Sequence, residues 1–181
     1  MLNMIIERIL RKMEKTTGVS SDYARDINRG STKAFYRFMR FMPMAHHRTA
    51  APKEASCVAA IATIIQQDCG PCLQVVVTIG LHNGVDASII KEAIRGDQDG
   101  LGPALSLVHR YATNIGQGNP APESEIQAIR DLWGQAGLVD IAFAVSASPV
   151  FPTLKKALGH AAICLPLDVD GERVIPHAIA A

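Results

Sequence analysis

The sequence is short of net charge, of cysteine and of long apolar runs, and each shortage narrows what it can be. Its 18 Lys and Arg stand against 17 Asp and Glu, a formal charge of +1. No general attraction to nucleic acid or anionic lipid is therefore expected. No segment offers the roughly 18 uninterrupted apolar residues that a spanning helix needs. Glu7, Arg8, Arg11 and Lys12 interrupt any apolar stretch of a secretory signal. The expectations are no membrane partner, no nucleic-acid partner and a cytoplasmic location. The cysteines Cys57, Cys69, Cys72 and Cys164 do not suggest a disulfide framework. In a reducing compartment they argue for thiol chemistry, a metal or simple burial.

What is present is a globular composition, 48% hydrophobic and 19% charged over 181 residues. That suits one domain with a substantial core, or a domain with an appended arm. Basic residues crowd the first 48 positions, but acidic and apolar residues are interleaved with them, the pattern of a solvated helix face.

Apolar residues recur at helical spacing along nearly the whole chain. Leu2, Ile5, Ile6, Ile9, Leu10 and Met13 form one stripe, stopped near Gly18. Ser20 or Ser21 caps a short helix ending near Gly30, and Ser31 opens another whose face is Phe35, Phe38, Met39 and Met42, closed by Pro43. This face suits core or subunit packing, with a hydrophobic ligand groove as the alternative. After a linker over 44–51, Pro52 starts a helix reaching about Gln67. A helix runs from about Cys69 to His82, and Asp86 caps the next. Leu101, Leu105, Val108, Ala112 and Ile115 mark another, and two more are expected over 122–136 and 138–147, separated by Gly137. A short helix ends at Gly159. Asp170-Gly171 between short apolar runs suggests a small hairpin or a loose arm. The expected class is all-α with eight or nine helices: an N-terminal helical arm (1–51), a core (52–160) and an irregular or hairpin tail (161–181). No low-complexity segment or fixed-period repeat interrupts this order.

Cys69-Gly70-Pro71-Cys72 carries the chemistry. At a helix start, free N–H groups and the positive end of the dipole stabilise a thiolate. The spacing of three places both sulfurs on one face, so they can pass between dithiol and disulfide through a mixed disulfide. Pro71 suits the first turn, where no N–H is needed, and Asp68 is a candidate cap. Two plainer readings stand beside this one. The stripe Cys69, Cys72, Leu73, Val76 also reads as core, and a zinc site would have to recruit Cys57, Cys164 or a histidine.

The order of Asp68-Cys69-Gly70-Pro71-Cys72, a following helix, Asn83-Gly84-Val85, a helix closing at Arg95-Gly96-Asp97, and the helices beyond resembles the carboxymuconolactone decarboxylase and alkylhydroperoxidase D superfamily over residues 52–160. The resemblance implies an all-helical bundle assembled as a homo-oligomer. In the peroxidase branch it implies a dithiol that reduces peroxides and is recycled by a thiol or dihydrolipoyl partner, with no further cofactor or metal. There the second cysteine, here Cys72, attacks the peroxide and Cys69 completes the disulfide. The branch's proton relay pairs a histidine four residues after the second cysteine with a glutamate twelve before the first. Here those positions are Val76 and Cys57. Glu54, one turn before Cys57, is the candidate replacement acid, and Cys57 itself is a candidate third thiol or a packed residue. His82, about 15 Å along the helix from Cys72, and His109 are remoter candidates for proton transfer.

Cys-Gly-Pro-Cys is also the active-site tetrapeptide of thioredoxins. That fold is rejected, because no tryptophan precedes Cys69 and Ala59, Ala60, Ala62 and the glutamine pair favour helix where a strand is required. The expected function is a thiol oxidoreductase. The alternatives are a catalytically degenerate relative acting as a ligand-binding or assembly module, and a lyase of the decarboxylase branch.

Overall fold

The computed structural model describes residues 2–160 and 166–177; Cys164 and part of the expected tail lie outside them. The protein is all-α, as its periodicity predicts. Among the described residues the elements are α1 (Leu2–Thr17), α2 (Asp22–Gly30), α3 (Thr32–Ala45), α4 (Lys53–Ile65), α5 (Gly70–His82), α6 (Ala87–Arg95), α7 (Gln98–Gly116), α8 (Glu123–Ala147) and α9 (Val150–Ala157). A two-stranded hairpin, β1 (Leu167–Val169) and β2 (Glu172–Val174), follows.

The core is organised around α4, which packs against α5, α6, α7 and α8. Its small residues Ala55, Ala59 and Ala62 alternate with Val58, Ile61 and Ile65, and all are buried. A helix apolar on every side has to be enclosed. Close approach is local: a Cβ on Gly116 of α7 would stand 3.3 Å from the Thr63 Cα.

The first three helices have a smaller core of their own, made by Ile6, Leu10, Ala24 and Phe35. Every carboxylate of these helices is paired with a basic side chain. Arg25 of α2 holds both carboxylates of α1, donating to Glu7 (3.0 Å) and to Glu14 (2.6 and 2.8 Å). These bonds hold the Glu14 carboxyl down at about 2. His160, after α9, ties to Asp26 of α2 at 2.7 Å.

Three expected boundaries move. Pro43 does not end α3 but sits inside its last turn, and Ser31 caps the other end by accepting from the Ala34 N–H. The break near the middle of α8 falls at Gly134 (φ 70°), not Gly137. Gly137 answers to space instead, since a Cβ there would stand 2.3 Å from the Trp133 Cβ. Asp68 does not cap α5; it takes a left-handed φ of 46° and Cys69 is the cap residue.

The Asp170-Gly171 turn forms the hairpin, both residues having positive φ as a tight two-residue turn requires. It is docked rather than loose. The Gln74 amide of α5 brackets Asp168 like a neighbouring strand, with both bonds at 2.9 Å. Glu172 binds Lys91 and Arg95 of α6. Of the helical stretches described, Glu123–Ala157 is long and apolar enough by composition to cross a membrane, and half of its apolar window is buried inside the fold.

Asp140, in the middle of that stretch, is fully buried. It accepts from the amides of Thr49 (2.8 Å), Ala50 (2.7 Å) and Ala51 (2.9 Å) and from the Thr49 hydroxyl. Burial alone would raise its pKa, but the three amides outweigh it and hold the carboxyl below its ordinary value. A depressed folded-state pKa contributes stability at neutral pH that is lost as pH falls through the folded value. Asp140→Asn leaves one neutral oxygen to accept the three amides that converge on Oδ2 and so loses the charge-assisted part of those bonds; it is expected to cost about 1–2 kcal/mol in urea denaturation at pH 7. The variant should also lose less stability than the parent on acidification below about pH 4.

Candidate functional site

The chain turns between α4 and α5 at Asp68, and Cys69 follows with an extended φ of −131°. Gly70 and Pro71 form the first turn of α5, where the missing proline N–H costs nothing. Cys69 and Cys72 are joined in a disulfide, Cα to Cα 5.3 Å, and each is only 4% exposed. The expectation that both sulfurs share one face is met.

Burial here is not sealing. Cys72 lines a cavity of about 660 Å³ between the arm and the core. Cys57 and Ile64 from α4, and Val76 and Ile79 from α5, share this wall. Tyr23, Met42, Phe151 and Lys155 close the other side. Gly70 and Pro71, inside the disulfide loop, border a second cavity of about 530 Å³, and Tyr23 and Lys155 line both.

The predicted residues thus separate. Cys72, Cys57 and Val76 meet at one cavity. Glu54 is not among its lining residues; it stands 3.8 Å from Lys53. The Cys57 thiol is pushed up to about 12, by burial first and then by the nearby Glu54. It is protonated at neutral pH and packs against α5, since a Cβ on Gly80 would stand 2.7 Å from its sulfur. His82 is exposed at the end of α5 and does not line the cavity. His109 is buried and fully bonded: the Gln98 amide donates to Nδ1 and Nε2–H donates to the Ala93 carbonyl, both at 3.1 Å. Desolvation holds its pKa below the ordinary value. No group of three or more potential metal ligands occurs among the described residues.

The aromatic stripe of α3 divides between two tasks. Phe35 fills the arm's own core, while Phe38 meets Tyr23 and Phe151 edge-on, both at 5.9 Å. Met42 reaches the cavity, as do His46, His47 and Arg48 of the linker. Lys155 escaped the sequence reading. Its signal was a lysine one turn after Phe151, on the same side of a short helix. Lysine is 7% exposed there, with its Nζ 4.9 Å from the centre of the Tyr23 ring. The larger cavity is lined by Lys155, Arg48, Lys53 and two histidines, and by no carboxylate.

No family model, curated protein or solved structure matches the chain.

Cys57 and Gly80 are coupled by contact. Gly80→Ala is expected to cost about 1–3 kcal/mol in urea denaturation, and adding Cys57→Ala should recover most of that loss. In the native, fully reduced protein, Cys57 should react with iodoacetamide at pH 8 far more slowly than a free cysteine, because so little of it is thiolate.

Proposed function

We propose that this protein is a thiol oxidoreductase of the alkylhydroperoxidase D type, working through the Cys69–Cys72 couple. The observation that carries the reading is a disulfide across the first turn of α5 whose second sulfur-bearing residue lines a ligand-sized cavity. In a reducing compartment such as the cytoplasm, a disulfide of this kind is transient and catalytic rather than structural.

The Cys72 thiolate attacks one oxygen of a hydroperoxide, the O–O bond breaks, and the alkoxide takes a proton to leave as an alcohol. The Cys69 thiol then attacks the Cys72 sulfenic acid, releasing water and forming the disulfide. A small dithiol of the dihydrolipoyl kind restores both thiols through a mixed disulfide and is itself oxidised. Val76 carries no proton and Cys57 holds its own too tightly to share it. Neither relay position therefore supplies the alkoxide's proton, which has to come from water or from another group of the cavity lining.

Those two positions also support a second reading, a relative that keeps the cavity and binds a ligand without turnover. Under either reading the protein is a homo-oligomer, with the exposed apolar row Met4, Ile5 and Ile9 of α1 as its contact surface.

The discriminating assay follows thiols after reduction. A slight excess of cumene hydroperoxide should remove the Cys69 and Cys72 thiols, and dihydrolipoamide should restore them. The pH–rate profile of Cys72 alkylation should have its midpoint below that of a free cysteine, about 8.5. A midpoint at or above that value, with peroxide consumed no faster than by Cys72→Ser, removes the enzyme reading and leaves the binding one.

A further inference from the structure

Lys155 is the least satisfied charged group of the cavity. It lies on α9, 7% exposed, and meets the face of Tyr23. Among the described residues no carboxylate or carbonyl pairs with its ammonium. An aromatic face replaces only part of the hydration that a buried ammonium loses. Desolvation accordingly lowers its pKa. A second polar atom of the same cavity is also unmatched: the Ser56 Oγ is buried with no hydrogen-bond partner. The other cations at the cavity are Lys53, which donates to the Asn83 and Gly84 carbonyls, and Arg48, exposed in the linker. Ile64, Val76, Ile79, Met42 and Phe151 give the cavity an apolar stretch, beside polar residues such as Ser21, Asn83 and Ser148.

An amine and a hydroxyl without partners, an apolar wall and no lining carboxylate define a complementary ligand. We propose that the cavity binds an aliphatic monocarboxylate, its carboxylate on Lys155 and its apolar body along the α4–α5 wall beside Cys72. The proposal names the substrate class for the dithiol and rests on that reading for its chemistry. The binding itself requires no turnover. A carboxylate supplies the counter-charge that Lys155 lacks, and the apolar body displaces water from Val76 and Ile79. Bound this way, a reactive group carried along the chain of the acid is delivered to Cys72 by the head-group contact rather than by collision.

The test uses the full-length oxidised protein and titration calorimetry with decanoate, decanol and decylamine. Decanoate should bind at least tenfold tighter than decanol, and decylamine weaker than both. Lys155→Met, which keeps the side-chain bulk, should bring decanoate to the affinity of decanol and leave decanol unchanged. Equal binding of acid and alcohol by the parent protein overturns the proposal, and that comparison needs no variant to fold. It is equally overturned if Arg48→Gln, rather than Lys155→Met, abolishes the preference, or if no member of the series binds. Peroxide reduction is followed on the same parent protein after its disulfide is reduced. Absence of peroxide reduction with binding intact would therefore remove the redox reading alone, and absence of binding with turnover intact would remove this one alone.

Discussion

Asp140 lies fully buried in the middle of an apolar helix, a place where a carboxylate is tolerable only if the chain brings donors to it. Three consecutive amides of the linker do so, and this fixes where α4 begins. The consequences spread from there. Held at 49–51, the chain enters α4 against α8, and α4 becomes the surface on which α5, α6, α7 and α8 assemble. The residues just before the clamp, His46, His47 and Arg48, are left at the mouth of the cavity. His47 reaches back, with its Nε2 3.6 Å from the same carboxylate. One buried charge thus sets the start of the core helix and the edge of the site together.

The arm completes what the core leaves open. α4 and α5 alone offer one wall, with Cys57, Cys72 and Val76 on it. Tyr23 and Met42 come from the arm and Phe151 and Lys155 from α9. The Asp26–His160 pair and the Tyr23–Phe38–Phe151 ring contacts hold the arm to that end of the core. The side chains that enclose the cavity are therefore drawn from segments far apart in sequence.

That separation decides how much was legible. Helices, caps at Ser31 and Asp86, the hairpin turn and the placement of the dithiol at a helix start are local properties, written in spacing and in cap residues. The break in α8 was misplaced because Gly134 and Gly137 are indistinguishable in one dimension. Only packing shows that Gly137 makes room for the Trp133 side chain while Gly134 takes the non-helical φ. Glu54 was chosen by helical spacing from Cys57, but the face of α4 that lines the cavity carries Ser56, Cys57, Ala60 and Ile64, so the acid faces elsewhere. Lys155 was invisible for the opposite reason. Nothing near it in sequence says that Tyr23, on another helix, removes its water.

Cys57 and Cys72 border one cavity from adjacent helices, and their difference shows what the site can do. Cys57 is in mid-helix, where every nearby N–H is already bonded within α4. Its thiol meets burial and the negative charge of Glu54, and its pKa rises to about 12. Cys72 sits in the first turn of α5, where amides without intrahelical partners and the positive end of the dipole favour a negative sulfur. The lining cations act in the same sense and no lining carboxylate opposes them. Burial alone would make the two thiols alike, so what distinguishes them is position along a helix. The cavity therefore has a preference of sign that a hydrophobic pocket lacks. It favours a thiolate at one end and, at Lys155, an anionic ligand at the other.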